Sequence, residues 1–185
     1  MRLPKRHRRD KYGIHFYQHH QNHPLILGKG GFGRQLADWL SAEGWGEAEF
    51  LDDNAPGCVG GLRDYADPKL LKPGCPAFVA LGDNALRVAL LQKLAAAGYD
   101  TPAFISDMAA VSPRAVLEPG CVILPQAYVG ADAHLGVGCI INGGAIVDHD
   151  AVLGRGVHVA PGGIVKAGAE VEALTKVDSG EIIKK

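Results

Sequence analysis

From Val111 to Ile183 every sixth residue is a branched aliphatic: Val111, Leu117, Ile123, Val129, Leu135, Ile141, Val147, Leu153, Val159, Val165, Val171, Val177 and Ile183. Four residues later in each hexad a small side chain recurs, as Ala115, Cys121, Ala127, Ala133, Cys139, Ala145, Ala151, Val157, Gly163 and Ala169. Neither a helix, with period 3.6, nor an alternating strand, with period 2, produces that register. A triangular coil does: each hexad supplies a short strand and a corner, the aliphatic fills the interior, and the small residue sits where the corner tightens. Three hexads close a turn, so residues 18 apart stack. Val111, Val129, Val147, Val165 and Ile183 then form one ladder, and Cys121 over Cys139 falls on another. In that register the two cysteines are small inward-facing groups, not a disulfide or a metal pair. The twelve hexads from 111 to 182 predict about four coils, and Thr175 and Glu181 at the small position predict that the coil frays or ends there.

The preceding segment has no such period. "PLILGKGGFGRQLADWL" (24–40) reads as an apolar strand, then Gly28-x-Gly30-x-x-Gly33, then an amphipathic helix. "AEFLDD" comes next as a second strand ending in Asp52 and Asp53, about twenty residues after the glycines. This is the pattern of a dinucleotide-binding turn, in which glycines admit a phosphate to a helix N-terminus. Only three or four strands ("LILG", "AEFLD", "FVALG", "PAFI") lie between 24 and 106, half of a full dinucleotide fold. A mononucleotide or nucleotide sugar therefore suits the segment better than NAD, although an NAD-dependent oxidoreductase and a glycine turn serving only strand–helix packing both remain open. The expected organisation is a basic, His-rich, disordered extension over 1–23, a Rossmann-like half-domain over 24–106, and the coil over 107–185.

Composition narrows the function classes. The chain has 185 residues, a net charge of −1 and 47% hydrophobic residues, which suits a globular protein with a sizeable core. No apolar run approaches the ~18 residues of a membrane span, and no signal-peptide h-region opens the chain. The four cysteines form no CxxC pair, and His149 and His158 have no third His or Cys nearby in the coil register, so no metal site is expected. Together these predict a cytoplasmic protein without membrane insertion. Six Lys and Arg residues lie between 2 and 11, and five of the eight histidines within the first 23 residues. A disordered extension accounts for them better than a nucleic-acid arm, so no nucleic-acid partner is expected.

The ordered set "GKGGFG", "FLDD", "ALGDNALR" and "AAVSPRAVLEPGCVI" followed by hexads resembles the sialic-acid O-acetyltransferase and nucleotide-aminosugar N-acetyltransferase family of bacterial surface-glycan synthesis. These are hexapeptide-repeat acyltransferases, and the resemblance implies a left-handed parallel β-helix after the α/β half. It also implies a homotrimer, a nucleotide-sugar substrate held by the first half, and acetyl-CoA as co-substrate between neighbouring β-helices. By position, the catalytic histidine falls on His149, the acid beside it on Asp150, and the acetyl-CoA-associated histidine on His158. The nucleotide-sugar turn falls on Gly30, Gly31 and Phe32, and the paired acids on Asp52 and Asp53.

The chemistry supports that mapping. Acetyl transfer from a thioester requires a proton to leave the attacking amine or hydroxyl, and a histidine titrating near neutrality is suited to take it. A carboxylate on its other ring nitrogen orients the ring and favours its charged form, and backbone N–H groups at a glycine-rich corner suit an oxyanion. Three departures stand out. Phe32 occupies a place where many relatives have histidine, Asp150 is one methylene shorter than the usual glutamate, and relatives continue for several more coils. The last leaves a second reading, a non-catalytic trimeric nucleotide-sugar binder that has lost part of its acetyl-CoA site.

Overall fold

The structure is a computed structural model that describes residues 23–70, 72 and 74–185. Apart from His23, the extension expected over 1–23 lies outside the described residues.

Three parallel strands, β1 (Leu25–Leu27), β2 (Glu49–Leu51) and β3 (Ala77–Val79), form a small sheet in the order β2-β1-β3. Helix α1 (Gly31–Ala42) follows β1 and α2 (Asn84–Ala96) follows β3. Strand alternation distributes the core. Leu25, Leu27, Ala77 and Val79 pack with Leu90, Leu91 and Leu94 of α2, whereas Ile26 and Phe78 pack with Leu36 and Leu40 of α1. The second cluster continues into the coil through Phe104, Val122, Leu124 and Ile140. The two halves therefore share this one apolar cluster, while the coil interior forms a cluster of its own.

The coil begins with β4 (Phe104–Ile105), β5 (Ala110–Val111) and β6 (Val116–Leu117), its three sides. They recur as β7 (Val122–Ile123), β8 (Tyr128–Val129) and β9 (His134–Leu135), then β10 (Ile140–Ile141), β11 (Ile146–Val147) and β12 (Val152–Leu153). Next come β13 (His158–Val159), β14 (Ile164–Val165), β15 (Glu170–Val171), β16 (Lys176–Val177) and β17 (Ile182–Ile183). All stack in parallel into three sheets, β16-β13-β10-β7-β4, β17-β14-β11-β8-β5 and β15-β12-β9-β6. The register is the 18-residue one: Val111 pairs with Val129, Val129 with Val147, Val147 with Val165, and Val165 with Ile183. Cys121 and Cys139 are buried free thiols whose Sγ atoms donate to the carbonyls of Gly136 and Gly154.

Two expectations are corrected. "PAFI" is not a strand of the first half: β4 pairs with β7, so the repeat starts one hexad earlier, at Ile105. Nor does the coil fray at Thr175: β16 and β17 pair with β13 and β14, and Val177 is fully buried. The interior aliphatic carries the stacking even where the small corner residue is lost.

Every sixth residue from Gly120 to Gly180 has a positive φ, which turns the chain at each corner. Seven of these are glycines and the others are Gln126, Asp132, Asp150 and Leu174. Helix α2 lies along one corner column. A Cβ on Gly120 or Gly138 would strike Leu91, and one on Gly156 would come within 2.7 Å of Val88. Gly144 also has positive φ, at 68°, but faces open space. Gly144→Ala is therefore expected to cost only the left-handed strain, about 1–2 kcal/mol. Gly156→Ala adds overpacking against α2, for about 2–4 kcal/mol in total. Denaturant melts of the two variants measure the difference.

Candidate active site

His149 and Asp150 are the two exposed residues of the corner between β11 and β12. Ala151 N–H closes the turn onto Asp148 O at 3.4 Å, and Asp150 sits at φ 58°, in the left-handed region. That region costs a side chain about 1–2 kcal/mol, and glycine fills it at most other corners of this coil. Here the bend turns the Asp150 carboxylate back onto the preceding ring, with Oδ2 2.7 Å from His149 Nδ1. Asp148 Oδ1 accepts the His149 backbone N–H at 2.8 Å, fixing the turn from its other side. The side chains of His149 and Asp150 are 59% and 63% exposed.

The hydrogen bond to Asp150 holds the His149 imidazole above the ordinary histidine range, and the charges of Asp148, Asp150 and Asp132 add to it. With Nδ1–H donated to Asp150, Nε2 carries the lone pair and points away from the pair. This is the arrangement of an oriented base.

His158 is in a different setting. It is the outward residue of β13, on the coil side whose outward column reads Phe104, Val122, Ile140, His158 and Lys176. The first half covers that column as far as Ile140, so His158 is half-buried at its edge. Burial, then the charges of Arg87 and Lys176, push its pKa down to about 4. The neutral ring lies 3.5 Å, through Nε2, from Asn142 Nδ2.

The glycine turn separates into two functions. Gly28 has φ 100°, and a Cβ on Gly33 would run into the Gly28 carbonyl, so both are required by the tight strand–helix junction. Gly30 and Gly31 meet neither condition, since a Cβ on either would face open space. They leave the N-terminus of α1 bare, with Gly30 at the N-cap, no side-chain cap and no acid in the first turn. The N–H groups of Gly31, Phe32 and Gly33 precede the first helical bond, from Arg34 N–H to Gly30 O, and suit an anion. The Phe32 ring is half-buried in the cluster containing Ile140, whose partner in the next coil is His158.

Asp52 and Asp53 both bind backbone. Asp52 Oδ2 accepts from Lys29 N–H at 2.7 Å, and Oδ1 from Asn54 and Ala55 N–H at 2.9 Å each. Those three donors hold its carboxyl below the usual range. Asp53 Oδ1 accepts from Leu62 N–H at 2.8 Å and the residue is exposed. Asp52 thus ties the end of β2 to the glycine turn, and Asp53 braces the loop beyond it.

Within one chain the site residues fall into two groups. Gly30, Gly31, Phe32 and His158 lie toward the junction of the halves. The His149 corner instead joins the two coil sides that the first half leaves open, where Tyr128, Val116 and Val152 are 44%, 54% and 43% exposed. Sequence reasoning does not single out Asn142, or the buried Arg87 of α2. The available signals for Arg87 are its place at the end of the motif "ALGDNALR" and its being a lone arginine in the apolar run "NALRVALLQKLAA".

A β-helix of hexads behind a small α/β half matches the structures of hexapeptide-repeat acetyltransferases. Residues 25–94 match the PglD N-terminal domain family. The acetyltransferase domain of PglB from Neisseria gonorrhoeae FA1090, solved with acetyl coenzyme A, is 32% identical with a TM-score of 0.72, and the match covers 88% of each chain. PerB from Caulobacter crescentus, solved with CoA and GDP-perosamine, is 27% identical with a TM-score of 0.76, over 88% of this chain and 89% of that one. A histidine-to-asparagine variant of the Caulobacter crescentus perosamine N-acetyltransferase, also with CoA and GDP-perosamine, is 27% identical with a TM-score of 0.72. That match covers 80% of this chain and 73% of the other. No curated protein sequence matches the chain. The chain belongs to the nucleotide-aminosugar acetyltransferase family.

The two histidines are expected to titrate apart. His149 should titrate above the ordinary ~6.5 and His158 near about 4, followed by imidazole NMR across pH. Because the folded pKa of His158 is depressed, its contribution to stability is present above the unfolded value and is lost as pH falls from ~6.5 toward about 4.

Proposed function

We propose that this protein transfers the acetyl group of acetyl-CoA to a nucleotide-linked amino sugar in surface-glycan synthesis, as a cytoplasmic homotrimer. The observation that carries the reading is the His149–Asp150 pair, 2.7 Å apart and exposed, kept at a corner whose geometry favours glycine. The acceptor amine or hydroxyl attacks the thioester carbonyl carbon while His149 Nε2 takes its proton. Asp150 stabilises the imidazolium that forms. The C–S bond then breaks, the acetyl group stays on the acceptor, and the proton passes to the departing CoA sulfur. No acyl-enzyme is needed.

The bare N-terminus of α1, at Gly30, Gly31 and Phe32, holds the nucleotide diphosphate, with Asp52 shaping the turn and Asp53 exposed toward the sugar nucleotide. His158, neutral throughout the working range, borders the acetyl-CoA site. The separation of the His149 corner from the glycine turn favours a site completed by a second chain. Beside that corner the outward column Tyr128, Ile146, Ile164 and Ile182 is apolar, with Tyr128 and Ile182 44% and 47% exposed, and suits a trimer contact.

His149→Ala should lower kcat by about 10²–10⁴ in a steady-state acetyl-CoA consumption assay with nucleotide-linked amino sugars. Activity within a few-fold of the unsubstituted protein would sink the mechanism. Since the base works deprotonated and Asp150 raises its pKa, kcat/KM should climb through a pKa above ~6.5, and Asp150→Asn should move that limb to lower pH. Calorimetry tests the competing reading: nucleotide-sugar binding without acetyl-CoA binding would mark a non-catalytic binder. Mixing His149→Ala chains with Gly31→Asp chains should restore activity that neither has alone, as a site shared between subunits requires.

A further inference from the structure

Arg87 has no part in the chemistry above, yet it is the largest fully buried side chain of the described residues. Its guanidinium meets four acceptors. Nε donates to Gly138 O at 2.9 Å and Nη2 to Gly156 O at 2.7 Å, while Nη1 donates to Leu81 O at 2.9 Å and Asn84 Oδ1 at 2.8 Å. Gly138 and Gly156 are equivalent corners of successive coils, 18 residues apart in the chain. Asn84 Nδ2 reaches the next corner of the same column, Leu174 O, at 2.8 Å. The N-terminal turn of α2 therefore grips three consecutive coils.

The gripped corners launch the strands that border the site. Two residues beyond Gly138, Gly156 and Leu174 come Ile140, His158 and Lys176, the outward column of one coil side. Ile140 lies in the core under the first half, and His158 is the next residue of the column, at the edge of that cover. The same helix follows β3, the strand paired with β1, from which the glycine turn leads into α1. One side chain thus links the sheet whose β1 leads into the turn, through β3 and α2, to the corner that launches β13.

We infer that Arg87 is a positioning residue for acetyl transfer: by binding the corner carbonyls of Gly138 and Gly156 it fixes the glycine turn against His158, and so the acceptor against the acyl donor. The inference rests on the acetyltransferase reading. Only arginine suits the place. Coils stack about 4.8 Å apart, and the guanidinium fork presents separate donors to two carbonyls at that spacing. A lysine ammonium is a single point and gives up at least one of them, and an apolar side chain gives up both. Burial lowers the Arg87 pKa to about 10, which leaves it charged at neutral pH.

The test is Arg87→Lys and Arg87→Met in the full chain, read by calorimetry, steady-state kinetics and imidazole NMR. Misalignment with both binding surfaces intact predicts a kcat at least tenfold lower in Arg87→Met and intermediate in Arg87→Lys. Acetyl-CoA and nucleotide-sugar Kd values should stay within threefold, with unchanged stoichiometry. The His158 ring resonance should move in Arg87→Lys, which keeps the charge, as well as in Arg87→Met, while those of His134 and His149 stay. Should Arg87→Met fail to fold, Asn84→Ala, which frees Leu174 O and removes an Nη1 acceptor, should show the same split of kcat from Kd to a smaller extent. A folded Arg87→Met variant with kcat within threefold of the unsubstituted protein overturns the inference. So does a fall in kcat matched by a fall in binding stoichiometry with His158 unmoved, which marks a purely structural role. If the unsubstituted protein itself transfers no acetyl group to any acceptor, the acetyltransferase reading fails, an outcome distinct from both.

Discussion

From Gly120 onward every corner of the coil holds a residue with positive φ at a six-residue interval, and the rest of the molecule is organised around that pattern. The corners set the direction of every strand, place the branched aliphatics inside, and stack equivalent residues at the strand spacing of about 4.8 Å. Helix α2 matches that spacing. Three or four helical residues rise about 4.5–6 Å, so Asn84, Val88 and Leu91 meet successive corners at Leu174, Gly156 and Gly138. Two unrelated periodicities thus lie in register along one column, and glycine at Gly138 and Gly156 permits the approach.

The same column accepts a buried charge. Arg87 has no carboxylate in hydrogen-bond contact among the described residues; its donors are met by three carbonyls and an amide oxygen. Removing a guanidinium from water costs several kcal/mol, and hydrogen bonds involving a charged group offset it at about 1.5–3 kcal/mol each. The arrangement holds only while all four acceptors are in place, which couples the placement of α2 to the coil beneath it. The opposite end of α1 adds a second tie, where Glu43 accepts from Ser106 Oγ at 2.8 Å and Asp107 N–H at 3.1 Å and burial raises its pKa.

Asp150 departs from this regularity. At most other corners of the coil glycine relieves the backbone, but Asp150 accepts the strain and gains a hydrogen bond to the preceding imidazole. The two histidines then diverge by environment alone. His149, ringed by three acids at an exposed corner, is raised, and His158, half-buried near Arg87 and Lys176, is lowered. In the first half, Asp52, expected from the sequence at the substrate, uses both oxygens to hold the backbone of the glycine turn and of the loop after β2.

Much of this is legible in the chain because it is local and periodic. The hexads determine the coil and its 18-residue ladders, and the glycine pattern determines a strand–turn–helix with a bare N-terminus. The pairing of His149 with Asp150 comes from adjacency at a corner. Other features depend on contacts between residues far apart, which no period encodes. "PAFI" reads as a strand of either half, and only its pairing with Val122 and Ile123 assigns it to the coil. Thr175 and Glu181 break the small-residue pattern, yet the buried Val177 and the rungs below keep the last strands in place. Arg87 looks like an ordinary surface charge on a largely apolar helix until the carbonyls of Gly138 and Gly156, 51 and 69 positions away, enclose it. Sequence determines what repeats, because repetition is a property of neighbours along the chain. Tertiary structure decides what meets across the junction, because burial and hydrogen bonding there depend on two elements arriving in the same register.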